Sequence, residues 1–255
     1  MNEFIYRIKL FFKVFISLAN PITFFQLDYK VLLDQLILIG PNSLLITMVT
    51  SFFISLVLSL QLVKEFLYLN ATEFVGSILA ISFIRELSPM LTSIIVIGKV
   101  GSFVTSEIAT MSVTEQIDAL FILGINPVNY LLLPRICAIF LMLPILNLFS
   151  LFTSFMSSSF ICSIIYSIDP IFFFQSLLYN FLYLDICKSL LKTLIFGLFI
   201  AIISCVWGIT TTGGSKGVGL STTSSVVTSL LFVFILNFLL SYLMFNNLVS
   251  SFELL

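Results

Sequence analysis

Few residues in this 255-residue chain are able to carry chemistry, and what is missing narrows the choice first. There is no histidine, which removes imidazole-ligated zinc, histidine-ligated haem and any triad built on an imidazole base. Cys137, Cys162, Cys187 and Cys205 stand 25, 25 and 18 residues apart in apolar stretches. With no CxxC pair among them, they read as small buried hydrophobes rather than as ligands or a redox couple. The glycine-rich run Gly213-Gly214-Ser215-Lys216-Gly217-Val218-Gly219 falls short of a phosphate-binding loop, which needs glycine before its lysine and Ser or Thr after it. Ser215 and Gly217 stand there instead, so the run reads as a flexible connection without nucleotide chemistry. No metal site and no cofactor are expected on this chain.

What remains is charge placed where charge is costly. Arg85 and Glu86 interrupt an apolar run that begins at Phe74. Asp185, Lys188 and Lys192 open another, and offsets of three and seven put them on one helical stripe. Ionisable residues in such runs face a bundle interior or a water-filled path. Arg85-Glu86 is either an internal ion pair at a Pro89 kink or the lining of a polar path. The Asp185–Lys192 cluster is either a clamp or a charge relay.

The elements that hold these charges are membrane helices. The chain is 60% hydrophobic and 9% charged, with a mean hydropathy of +1.20, whereas a soluble domain carries about 25% charged residues. A net charge of −1 offers no basic field for nucleic acid. Spans of about 20 apolar residues fit Ser43–Val63, Phe74–Thr110, Ile136–Ile168, Ile186–Trp207 and Val226–Val249. Ile171–Leu184 is apolar too and reads as a connection or a re-entrant segment. The fold class is therefore an all-α integral membrane protein with about five transmembrane helices.

Residues 1–42 form a separate amphipathic region. On a helical wheel Phe4, Ile5, Ile8, Phe11, Phe12, Phe15, Ile16, Leu18 and Ala19 share one arc, with Asn2, Glu3, Tyr6, Arg7, Lys9, Lys13 and Ser17 opposite and Leu10 and Val14 the exceptions. A basic face against an aromatic face predicts an interfacial helix. A signal sequence fits less well, because Lys13 breaks the apolar core. With the N-terminus inside, Arg7, Lys9, Lys13, Lys30, Lys99, Arg135 and Lys216 lie on the inner side and Lys64 outside, with Arg85, Lys188 and Lys192 at membrane depth. The positive-inside rule favours that orientation. It places the connection after the second span and the Thr210–Ser225 loop on the inner face.

That connection carries signals of its own. Ser112-Val113-Thr114-Glu115 has capping-box spacing, Gly124 suits the position after a helix, and Asn126-Pro127 suits the start of the next. A short helix over Val113–Leu123, with Glu115 and Asp118 outward, is either a lever for a soluble partner or a plain joint. Along the second span, Gly98, Ser102 and Ser106, and Gly101, Thr105 and Ala109, form two small-residue ladders that permit close helix approach. The 29 phenylalanines, with abundant Ile and Asn, resemble AT-rich coding more than a cofactor box.

The runs Phe83-Ile84-Arg85-Glu86-Leu87-Ser88-Pro89-Met90-Leu91-Thr92, Gly98-Lys99-Val100-Gly101-Ser102, Ser106-Glu107-Ile108-Ala109-Thr110-Met111 and Thr114-Glu115-Gln116-Ile117-Asp118-Ala119-Leu120 resemble the MlaE-type permease family. Leu123-Gly124-Ile125-Asn126-Pro127, Leu133-Pro134-Arg135, Leu143-Pro144 and the Thr211–Val227 loop continue the likeness. The resemblance implies the permease subunit of an ABC-type lipid transporter, with residues 43–255 as the permease domain. It implies a homodimer, a separate ABC ATPase subunit that binds the ATP, and an MCE-type lipid-binding subunit on the far side. Arg85, Glu86 and Leu87 would line the lipid path. Glu107, Thr114, Glu115, Gln116, Asp118 and Leu120 would belong to the ATPase-coupling region. An ion-coupled secondary transporter would need more acidic residues in its spans and an inverted repeat. A TatC-like translocase subunit would leave the capped inner helix unexplained. No Arg/Ser-rich transit peptide precedes the first span, and with the AT-like composition this points to a plastid inner envelope protein, with a bacterial inner membrane as the alternative.

Overall fold

The computed structural model describes residues 7, 9–11, 29–69, 71–179 and 183–245. Their regular structure is helical, with no strand among them. We number the helices α1 (Tyr29–Tyr68), α2 (Val75–Val113), α3 (Gln116–Ile122), α4 (Val128–Tyr166), α5 (Pro170–Tyr179), α6 (Tyr183–Ile209) and α7 (Gly214–Phe245). α1, α2, α4, α6 and α7 are long and apolar enough to cross a membrane, which matches the expected five spans.

The helix ends differ from the hydropathy boundaries, and for one reason. A helix projecting beyond hydrocarbon tolerates charge in its outer turns, so α1 begins at Tyr29 with Lys30 and Asp34 in its first turns and runs unbroken through residue 42. Pro41 and Pro144 lie inside α1 and α4. α5, at ten residues, is roughly 15 Å long and too short to span. Of the predicted interfacial helix, Arg7 and Lys9–Phe11 are described, and they are helical; the other positions of that wheel lie outside the described residues.

The described residues fall into two compact units, drawn from segments 1–43, 93–143 and 194–235 and from segments 44–92, 144–193 and 236–255. In the second unit, Val63, Val75, Leu79, Phe83, Leu151, Cys162 and Phe173 form a buried apolar cluster. Phe173 of α5 is 1% exposed within it. Beside it, α1 and α4 are joined by hydroxyls: Ser51 to Thr153 at 3.1 Å, Ser55 to Ser157, and Ser59 to Ser158 at 2.9 Å. Small side chains let these helices approach, and each buried hydroxyl finds a partner across the seam.

In the first unit, the Gly101 ladder faces α6. A Cβ at Gly101 would stand 3.1 Å from Ser204 Oγ. Thr105 Oγ1 lies 3.1 Å from the Ser204 carbonyl and 2.9 Å from Ser225 Oγ of α7. The Gly98 ladder is different: Gly98 is exposed, and among the described residues no atom beyond its own turn of helix lies within 4 Å of where a Cβ would sit. One ladder therefore packs the chain on itself, and the other stays open.

Candidate functional site

The charges of α2 and α6 meet in the second unit, but not as the sequence suggests. Arg85 and Glu86 each pair with a residue of α6, Arg85 with Asp185 and Glu86 with Lys192. Arg85 donates from Nε and Nη2 to Asp185 Oδ2 at 3.0 and 2.8 Å. Lys188 Nζ is 3.9 Å from Asp185 Oδ1. Lys192, whose side chain is 0% exposed, donates to Glu86 Oε2 at 3.1 Å, the Arg85 carbonyl at 3.0 Å and Ser241 Oγ at 2.7 Å. Three acceptors for three ammonium protons satisfy the charge completely. Ser241 in turn donates to Glu86 Oε1 at 2.6 Å, and Asn237 Nδ2 donates to Glu86 Oε2 at 3.0 Å.

The backbone explains why Arg85 can offer its carbonyl. Phe83–Leu87 is a π-helical turn inside α2, a distortion frequent at functional sites. Pro89, four residues after Arg85, has no N–H to return to that carbonyl, and the Lys192 ammonium takes the place of the missing donor. A second π turn, Ile97–Gly101, holds Lys99, whose Nζ donates to the Asn42 carbonyl. Leu87 lies against the apolar cluster of the second unit, partly buried. Asp185 and Lys192 of the stripe both bond to α2, while Lys188 stands beside Asp185. Asn237 and Ser241 were missed; two polar residues four apart in the last apolar span were the available signal.

The inner connection is built from the first unit. α3 covers Gln116–Ile122, shorter than the predicted Val113–Leu123, and no side chain caps its start. The expected capping box does not form. The Ser112 hydroxyl instead reaches the Ile209 carbonyl at 3.2 Å, tying the end of α2 to the end of α6. The Glu115 N–H bonds the Ser112 carbonyl at 3.2 Å, and Glu115 takes a left-handed φ of 58°. Ser112 lies inside α2, so it does not stand at the start of a helix as a box requires. The other end follows expectation. Gly124 has φ 75°, its N–H bonds the Phe121 carbonyl, and the Ile125 N–H bonds the Leu120 carbonyl, both at 3.0 Å. This is a Schellman closure. Asn126 Oδ1 accepts the Val128 N–H at 3.1 Å, as an N-cap should.

Thr114, Glu115, Gln116 and Asp118 are exposed and Leu120 is half-buried. Glu107 stands apart from them: it pairs with Arg135 of α4 at 2.9 Å, and Arg135 is 4% exposed. It joins two spans inside the unit. Sequence reasoning also overlooked Phe121, Ile122 and Leu123, which are 60%, 87% and 72% exposed at the end of α3. Ile117, 8% exposed, lines with Phe121 an apolar pocket of about 540 Å³ shared with Leu10, Ile108 and Val206.

Comparison with known proteins places this arrangement. The family described as Permease MlaE matches residues 32–243. The probable ABC transporter permease protein ycf63 of Pyropia yezoensis is 46% identical over 251 residues, covering 98% of this chain and 94% of that protein. The probable ABC transporter permease protein slr1045 of Synechocystis is 49% identical over 216 residues, 84% of this chain and 82% of that protein. Protein TRIGALACTOSYLDIACYLGLYCEROL 1, chloroplastic, of Arabidopsis thaliana is 41% identical over 222 residues, 87% of this chain and 63% of that protein. The matched stretch runs from the first turn of α1 almost to the end of α7 and takes in both the paired charges and the inner connection, so the chain belongs to the MlaE permease family of ABC transporters.

Proposed function

We propose that this chain is the membrane subunit of an ABC-type lipid transporter, working as a homodimer with a separate ATPase that consumes the ATP and an MCE-type lipid-binding subunit on the opposite side. The observation that carries the lipid assignment is the exposure of paired charge on a spanning helix. Glu86 is 42% and Arg85 28% exposed, roughly 17 Å along α2 from Val75. Charge open to hydrocarbon at that depth is costly, so this face borders a polar path or a second copy of the chain. Arg85, Lys188 and Lys192 against Glu86 and Asp185 leave one positive charge over, which suits an anionic head group. Leu87, beside them, offers apolar surface to acyl chain.

α2 carries both ends of the mechanism: the charged turn at Arg85–Leu87 and, at its other end, the connection to α3. Closure of the ATPase pair presses on α3, and the displacement passes along α2 to the lipid path. A chloroplastic relative named for trigalactosyldiacylglycerol supports a plastid membrane, which we take to be the inner envelope with α3 on the stromal side, and a glycerolipid substrate.

The test is ATP-driven transfer of fluorescent phospholipid by the complex reconstituted in vesicles. Arg85→Ala should slow transfer by roughly tenfold or more, the loss of a charge-assisted contact, while the ATPase stays bound. Transfer at the wild-type rate would overturn the lipid role of Arg85.

A further inference from the structure

The last turn of α6 and the first turns of α7 border a pocket of about 360 Å³, lined by Arg7, Trp207, Thr210, Gly217, Ser221 and Ser224 among others. None of these residues belongs to the network around Glu86. Arg7 lies over the Trp207 ring, its guanidinium carbon 3.9 Å from the ring centroid, and its Nε donates to Thr210 Oγ1 at 3.1 Å. A ring face and a hydroxyl thus hold a permanent cation in the pocket wall. Gly217 lets α7 start this close: a Cβ there would stand 2.0 Å from the Thr212 carbonyl oxygen.

Two serines of the wall behave unlike their neighbours on α7. Thr222, Thr223 and Thr228 turn back onto carbonyls of their own helix at 2.6, 3.1 and 2.8 Å. Ser221 and Ser224 do not, and neither hydroxyl has a hydrogen-bond partner among the described residues. Ser221 is 7% exposed and Ser224 half-buried, and both line the pocket. Two pocket-lining hydroxyls with no protein acceptor among the described residues, beside a cation held in the wall, are arranged for an anion. Trp207 sets the level, because tryptophan rings mark the membrane–water boundary where lipid head groups lie. Arg7 itself comes from the segment whose sequence predicts an interfacial helix. The pocket's volume falls in the small-ligand range, enough for a head group whose acyl chains stay in the bilayer.

We infer that this pocket binds the anionic head group of a membrane glycerolipid, its phosphate meeting Arg7 and accepting hydrogen bonds from Ser221 and Ser224. The site ties the N-terminal segment to the start of α7 through a lipid of the surrounding membrane, separately from any lipid being moved.

Trp207 is the one tryptophan of the chain, so its emission reads the pocket directly. The full-length chain, in nanodiscs of phosphatidylcholine, is titrated with dihexanoyl phosphatidylglycerol, dihexanoyl phosphatidylcholine or inorganic phosphate. A saturable change is expected with the phosphatidylglycerol and not with the other two. Arg7→Gln should abolish it. Because that change also removes the contact with Trp207, the deciding variant is Ser221→Ala with Ser224→Ala, which leaves the ring stack in place and should raise the half-saturating concentration roughly tenfold. No saturable response, an equal response to phosphatidylcholine or to inorganic phosphate, or wild-type titration by the double serine variant would each overturn the assignment.

Discussion

At the scale of single residues, Lys192 shows how a membrane helix accommodates charge. Its ammonium is fully enclosed and all three protons are used, on Glu86, the Arg85 carbonyl and Ser241. Removing it leaves a carboxylate and a backbone carbonyl short of donors. Lys192→Met should therefore lower stability by about 3 kcal/mol, the low end for breaking a buried pair, because Glu86 keeps some contact with its surroundings. Adding Glu86→Gln should restore part of that loss. Thermal unfolding of the detergent-purified protein measures both, and strictly additive losses would show that the two charges are not coupled. The sequence disclosed which residues were charged and which shared a stripe, since both follow from helix periodicity. It did not disclose that Arg85 pairs with Asp185 and Glu86 with Lys192. Pairing across helices depends on their rotation about their own axes, and that is set by packing over the whole length.

At the scale of elements, spans were legible and their irregularities were not. Bilayer thickness imposes the same minimum apolar run on every crossing helix, so hydropathy alone finds all five. The π turns at Phe83–Leu87 and Ile97–Gly101 leave no such trace; in the first, the Arg85 carbonyl is taken up by Lys192 of another helix. The serine seam between α1 and α4 was equally hidden, because isolated serines in apolar runs look neutral until their partners are known. The α3 connection divides neatly. Its glycine end was readable, because only a left-handed residue closes a Schellman motif without strain. Its Ser112 end was misread, because a hydroxyl with capping-box spacing found a tertiary carbonyl instead. Gly124→Val follows from the part that was right. A β-branched residue at φ 75° costs about 1–3 kcal/mol, enough to open the last turn of α3. Hydrogen exchange at the Ile125 amide, now bonded to the Leu120 carbonyl at 3.0 Å, should quicken markedly in the valine variant and much less in Gly124→Asn, since asparagine tolerates that region. Wild-type exchange in Gly124→Val would mean that the closure does not hold the helix end.

At the scale of the whole molecule, the question is which surfaces meet lipid and which meet protein. Val227, Leu231, Phe234, Phe238 and Tyr242 follow helical spacing along α7 and are all at least 45% exposed. An apolar stripe on a spanning helix is satisfied by lipid or by a second copy, so it needs no soluble partner. The end of α3 is another matter. Phe121, Ile122 and Leu123 are exposed together on a connection between spans, next to exposed Glu115 and Asp118. Adjacent large apolar residues outside the bilayer, rimmed by charge, are the composition of a protein-binding surface. Charge and apolar contact fail differently, and that separates their contributions. In pull-downs from membranes, Glu115→Lys with Asp118→Lys should weaken ATPase association at low ionic strength and less at 0.5 M salt, as screening removes the unfavourable contacts along with the favourable ones. Ile122→Asp should weaken it by roughly tenfold or more at either salt concentration, since it buries a charge where a side chain 87% exposed in the free chain would be covered. If both variants retain the ATPase at wild-type levels, the force enters the permease elsewhere than α3.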